Sequence, residues 1–151
     1  MKNYILLIVI FFLTTQCGFK VVNHNDLNQF NIRSFELEGE NRINRLIKRN
    51  LLFYSKKENN NTFNIKIKTT KTKKILEKNI KNEIVKYQIT LSSVVEFYNF
   101  STGKIIKEAF GEQGDFNVGN KNIDTRNNEK KLIEDLIEEL SEQMIKKIRV
   151  L

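Results

Sequence analysis

The chain has 151 residues, enough for one ordinary domain and not for two, and its 40% apolar content can fill a single core. A formal charge of +8 favours anionic partners: nucleic acid, anionic lipid or phosphorylated glycan. With one cysteine, Cys17, and one histidine, His24, the sequence excludes an intramolecular disulfide and offers no set of residues spaced for a metal cluster.

Lys2 precedes an apolar run from Tyr4 to Leu13, followed by Thr14–Thr15–Gln16 and then Cys17. A positive start, about ten apolar residues and a short polar stretch make a secretory signal. The run is shorter than the roughly 20 residues needed to span a bilayer. Residues 1–16 are therefore expected to be a lipoprotein signal peptide, with Cys17 the site of lipidation and cleavage. One acyl chain anchors only marginally, at about 0.8 kcal/mol per buried CH₂, so a diacylglyceryl (palmitate-type) modification suits a stable tether. Thr14 and Gln16 stand where such signals usually carry Leu and a small residue. Export makes nucleic acid an unsuitable target and leaves anionic lipid or glycan. Residues 17–28, Asn-rich and poor in core formers, read as a tether, and His24 as a solvated part of it.

Residues 29–151 read as one α+β domain. Between Gln29 and Glu38, Phe30 and Ile32 share one parity and Phe35 and Leu37 the other, which predicts a strand with a bulge near Arg33–Ser34. Gly39 ends it. Asn41 is the expected N-cap of a helix over Arg42–Tyr54, whose apolar face carries Ile43, Leu46, Ile47, Leu51 and Tyr54. After a polar loop, Phe63, Ile65 and Ile67 mark a second strand. The basic stretch Thr69–Lys81 suits either the end of that strand and a loop or one helical turn. Ile84–Phe100 alternates most clearly, with Val85, Tyr87, Ile89, Leu91, Val95 and Phe97 on one face. Ser101–Thr102–Gly103 is a turn into a partner strand from Lys104 to about Phe116. There Ile105 and Ile106 compete for the inward face, and Gly111 and Gly114 suggest bulging or an edge. A polar connection, Val118–Asn128, leads to an amphipathic helix from about Asn127, striped by Ile133, Leu136, Ile137, Leu140, Met144 and Ile148. The order βαβββα implies a two-layer sandwich: a four-stranded sheet with both helices on one face.

No nucleophile with a base, nucleotide loop or carboxylate pair across a cleft can be assembled, so neither catalytic residues nor a cofactor are expected. Asn60-x-Thr62 and Asn99-x-Ser101 read as turns. Binding remains. Lys66, Lys68, Lys71, Lys73 and Lys74, continuing to Lys78 and Lys81, form either a solvated lysine-rich surface or a docking strip for an anionic headgroup. Lys66 and Lys68, two apart, project from one face away from Phe63, Ile65 and Ile67, so reversing their charge should spare the fold.

The segment Cys17–Gly18–Phe19–Lys20 resembles the Cys-Gly-Phe-basic opening of mature LPS-assembly lipoproteins, the LptE family. The layout is also similar: a strand into a helix (Phe30–Tyr54), a hairpin with Thr-Gly at its turn (Tyr87–Phe116), and a long C-terminal helix. The Tyr87 strand and the Ser101–Thr102–Gly103–Lys104 turn look most like the alphaproteobacterial branch, while Val21 and Val22 depart from the Pro-hydrophobic pair common there. The resemblance implies a lipid-anchored protein on the periplasmic face of the outer membrane, plugging an LptD-like β-barrel and assisting insertion of lipopolysaccharide (LPS). It implies no chemistry, and Gly18 after the cysteine fits outer-membrane sorting. A basic face suits LPS, with Lys66, Lys68, Lys71, Lys73 and Lys74 the candidate contacts, although no motif carries the family's LPS-contacting residues over. The alternative is a stand-alone tethered lipoprotein that binds a ligand or stabilises the envelope.

Overall fold

The computed structural model describes residues 30–56 and 61–151, so the expected signal segment, Cys17 and the tether with His24 lie outside the described residues. Strand β1 (Asn31–Gly39) leads into helix α1 (Asn41–Tyr54). Strands β2 (Thr62–Lys78), β3 (Ile84–Asn99) and β4 (Ile105–Asn117) follow, and helix α2 (Asn122–Arg149) closes the chain. The four strands form one sheet in the order β1-β2-β3-β4, parallel between β1 and β2 and antiparallel elsewhere. This is the expected α+β arrangement.

Alternation explains the layering. Side chains two apart on a strand share a face, and the pairing register aligns Phe35, Ile65, Phe97 and Ile106 in one row across all four strands. Ile65 and Phe97 of this row and the stripes of both helices, Ile43, Ile47 and Leu51 from α1 and Leu136, Ile137, Leu140, Met144 and Ile148 from α2, belong to one buried cluster, against which Phe35 packs. Both helices therefore cover the same face. Burying each such side chain contributes about 1.5–3 kcal/mol. The helices run in the same direction. Ile43 and Leu46 lie near Arg126 and Glu129 around a small pocket, Asn50 Nδ2 donates to Ser141 Oγ at 3.3 Å, and Arg149 sits 5.7 Å from the Tyr54 ring centre.

The bulge expected near Arg33–Ser34 is present as a register shift between Ile32 and Ser34. It lets Ile32 and Phe35, of opposite parity, both face the helices. Gly39 ends β1 with φ +85°, and a Cβ there would lie 2.2 Å from the Thr69 carbonyl oxygen. Only glycine fits that close backbone crossing.

Two expectations change and two open readings resolve. Asn41 is the first residue of α1 rather than its cap: Glu40 occupies the N-cap position without a side-chain bond, and Asn44 Nδ2 reaches back to the Glu38 carbonyl at 2.6 Å. The ambiguous stretch after Thr69 is strand as far as Lys78, because β3 is long enough to pair with it through Ile84. In β4, Ile106 faces inward and Ile105 outward, and the strand is an unbulged edge. Gly114 there admits α2, since a Cβ would lie 2.6 Å from Leu132 Cδ1. Finally, α2 begins at Asn122, five residues earlier than its apolar stripe suggests. Asp124 Oδ2 accepts the Lys121 backbone N–H at 3.2 Å, and Thr125 Oγ1 accepts that of Gly119 at 3.0 Å. Those bonds serve a helix start that needs no apolar residue.

Candidate functional site

The candidate lysines do not share one surface. Strand parity sends Lys66, Lys68 and Lys74 to the sheet face away from the helices, and Lys71 and Lys73 to the helix-facing side.

On the outer face, register places Glu36 beside Lys66, Lys66 beside Glu96, and Glu96 beside Lys107. Charge thus alternates acid, base, acid, base across all four strands. Lys66 Nζ lies 2.7 Å from Glu36 Oε1 and 2.7 Å from Glu38 Oε1, while Lys107 Nζ lies 2.9 Å from Glu96 Oε1. Opposite charges facing each other across a ladder stabilise pairing. Hydrogen bonds donated to Glu36 and then Glu38 raise the Lys66 pKa well above the usual lysine range, and accepting the bond from Lys66 lowers the Glu38 pKa below the usual carboxylate value. Lys66 is thereby tied into the sheet. Reversing it would place a carboxylate among Glu36, Glu38 and Glu96, so reversal of Lys66 is no longer a change that leaves the fold untouched.

On the inner face, Lys71 and Lys73 stand opposite Leu91 and Ile89, where the sheet runs beneath the start of α2. Glu129 of α2 receives both, with Oε2 2.6 Å from Lys73 Nζ and Oε1 3.8 Å from Lys71 Nζ. Lys73 also caps the stacked rings of Tyr87 and Phe116, its ammonium 4.3 and 5.1 Å from their centres. An ammonium over aromatic faces is attracted by the ring quadrupole. These two lysines hold α2 to the hairpin. Lys68 and Lys74 remain exposed on the outer face, opposite Val94 and Gln88, with Thr70, Thr72, Thr90 and Ser92 between them.

A second feature lies in the helical layer. A groove of about 620 Å³ runs between α1 and α2, floored by Leu46, Ile137 and Ile145 and edged by Arg49 on one side and Glu134, Glu138 and Glu142 on the other. Sequence reading missed it, and also missed Glu36, Glu38, Glu96 and Glu129. The carboxylates on β1 and β3 were legible in principle: each sits at the polar parity of a strand whose apolar parity was identified.

No family model matches the chain, and no curated protein matches its sequence. Its fold is that of a group of small lipoproteins. Rare lipoprotein B from Shewanella oneidensis superimposes with a TM-score of 0.58 at 7% identity, over 77% of this chain and 93% of that one. Uncharacterized lipoprotein B from Nitrosomonas europaea gives 0.57 at 9% identity, over 82% and 86%. A minor lipoprotein from Acinetobacter baumannii gives 0.53 at 15% identity, over 82% and 94%. At these identities the likeness is one of fold.

Proposed function

We propose that this chain is an outer-membrane lipoprotein of the LptE type, lipidated at Cys17 and held on the periplasmic face, which plugs an LptD-like β-barrel and assists insertion of LPS. It works by binding and performs no chemistry. The observation that carries the reading is the fold, shared with lipoproteins over about four-fifths of the chain. The Cys17–Gly18–Phe19–Lys20 segment supports it from the sequence. The outer sheet face, with its alternating charges and its threonines and serines, suits a polar barrel interior. Lys68 and Lys74 are the lysines placed to meet LPS phosphates by charge-assisted hydrogen bonds. Lys66 acts through the charge ladder, and Lys71 and Lys73 through α2.

Purification from detergent-solubilised outer membranes tests this. A large β-barrel protein should accompany the chain, and the intact mass should include lipid at the N-terminus. Recovery of the lipidated chain with no barrel would replace the assembly role by that of a stand-alone lipoprotein. The groove between α1 and α2 favours that second reading, because it is large enough for a ligand of its own.

A further inference from the structure

We propose that the end of the domain where the chain arrives from Cys17 is a bilayer-docking surface, which rests on an anionic lipid leaflet. Every element begins or ends there. Phe30, the first described residue, accepts the Lys56 backbone N–H at 2.9 Å, which sets the tether entry against the end of α1. Asn31 N–H bonds the Asn61 carbonyl and Phe100 N–H the Thr62 carbonyl, both at 2.9 Å, adding the start of β2 and the end of β3. Arg149 over Tyr54 adds the end of α2.

Two properties of this end point to a membrane surface. First, it exposes large apolar side chains: Phe53 is 82% accessible, Val150 77% and Ile105 69%, with Leu52, Tyr54 and Phe100 partly accessible. Gathered at one end of the domain, on the helix side and on the outer sheet side, these exposed apolar groups mark an interaction site. Second, its described residues are basic. Segments 30–34, 49–56, 61–64, 98–106 and 146–151 contain Arg33, Arg49, Lys56, Lys104, Lys146, Lys147 and Arg149, and among these described residues there is no Asp or Glu. Phe53 and Tyr54 also border the groove, whose acids Glu134, Asp135, Glu138 and Glu142 stand on its α2 edge. Two helix C-termini also fall here, each carrying partial negative charge, and Lys146, Lys147 and Arg149 in the last turn of α2 oppose it. Arginine and lysine stems lie along apolar surface while their heads meet phosphate, and aromatic residues favour the headgroup level. Only residues 18–29 separate Cys17 from this end. That span holds the patch within reach of the leaflet carrying the lipid. The tethering clause rests on the lipidation proposed above; the barrel role is not required.

The chain contains no tryptophan, so a single one reports its own surroundings. Phe53→Trp places the reporter in the patch, and Ile80→Trp places it on the fully exposed tip of the β2–β3 hairpin. The protein, purified from membranes, is studied in phosphatidylglycerol vesicles. At position 53 the emission should shift to the blue and be quenched by brominated lipid, and at position 80 it should do neither. Arg49→Glu with Lys56→Glu, or exchange of phosphatidylglycerol for phosphatidylcholine, should weaken the shift, and added salt should too. An unshifted reporter at position 53, or equal shifts at both positions, overturns the proposal. So does shielding at position 53 that appears only with a co-purified protein and not in vesicles, which assigns the patch to a protein partner. Absence of lipid mass on Cys17 is read separately by mass measurement; in that case the vesicle shift alone decides whether the patch docks.

Discussion

Along β2, Phe63, Ile65, Ile67 and Thr69 are buried under the helices, while Asn64, Lys66, Lys68 and Thr70 alternate with them on the opposite, solvent-facing side. The same strand carries both faces, yet they are held by different forces. The inner face gains from removal of apolar area, with one buried polar pair, Thr69 and Ser93, whose hydroxyls lie 2.7 Å apart. The outer face gains from cross-strand charge in water, which is weak pair by pair. A lysine consequently means something different according to parity. Lys66 is a rung of a charge ladder, Lys73 is a strut between sheet and helix, and Lys68 is left available for a partner.

The strongest way to break this contrast is to truncate the inner face. Leu91→Ala and Leu140→Ala should each cost about 2–5 kcal/mol in denaturant unfolding. Thr90→Ala, next to Leu91 but facing outward, should stay within about 0.5 kcal/mol. Equal costs at positions 90 and 91 would show that the two faces are not distinct.

Smaller effects follow at the strut. Glu129→Ala removes the carboxylate shared by Lys71 and Lys73 and should cost about 1 kcal/mol, since these side chains are partly solvated. Lys73→Met, which keeps apolar length over Tyr87 and Phe116, should cost less than Lys73→Ala. If the two variants are equally stable, the packing of the Lys73 stem contributes nothing.

Weaker still is the ladder, and pH separates it from the core. The Glu38 pKa is lowered from its ordinary 4.5, so its contribution is complete above that value and is lost as pH falls through the folded-state pKa. The Lys66 pKa is raised from 10.5, so its contribution is complete below that value and is lost as pH rises through the folded-state pKa. Lys66→Met should therefore lower the melting temperature between these limits and flatten its fall in acid. A parallel fall in wild type and variant would remove the ladder from the account. The smallest effect on stability should come from Lys68→Glu combined with Lys74→Glu, within about 0.5 kcal/mol. If these lysines meet LPS, binding of LPS should nevertheless drop, most at low salt. Unchanged LPS binding would confine their role to solubility.

Much of the fold was legible because burial writes itself into parity. Ile89, Leu91, Val95 and Phe97 mark β3, the parity change between Ile32 and Phe35 marks the bulge in β1, and Leu136, Leu140 and Met144 mark α2. Legibility failed where burial was not the organising force. Beyond Thr69 the next two inner positions of β2 are Lys71 and Lys73, kept there by Glu129 and two aromatic rings on distant segments, and Ile75 alone does not make an apolar alternation that signals the strand. The first turn of α2 rests on Asp124 and Thr125 bonding to loop backbone rather than on an apolar stripe. The candidate site suffered most. A run of lysines read linearly looks like one strip, and only strand parity with the positions of Glu36, Glu38 and Glu129 divides it into three roles.

The parallel pairing of β1 carries a kinetic consequence. The β2–β3 and β3–β4 ladders close through short turns, Asn79–Glu83 and Asn99–Lys104, whose backbone groups bond one another. In β1, by contrast, Asn31 meets Thr62 and Gly39 meets Thr69 only after the whole of α1 has been accommodated. Closing the longer loop costs more chain entropy before any contact repays it. The three-stranded meander should form first, offering the edge of β2 as a template, and β1 should dock last with α1 behind it. The strand that follows the tether is then a latch: β2 lies on an open edge until the segment nearest the anchor has been delivered.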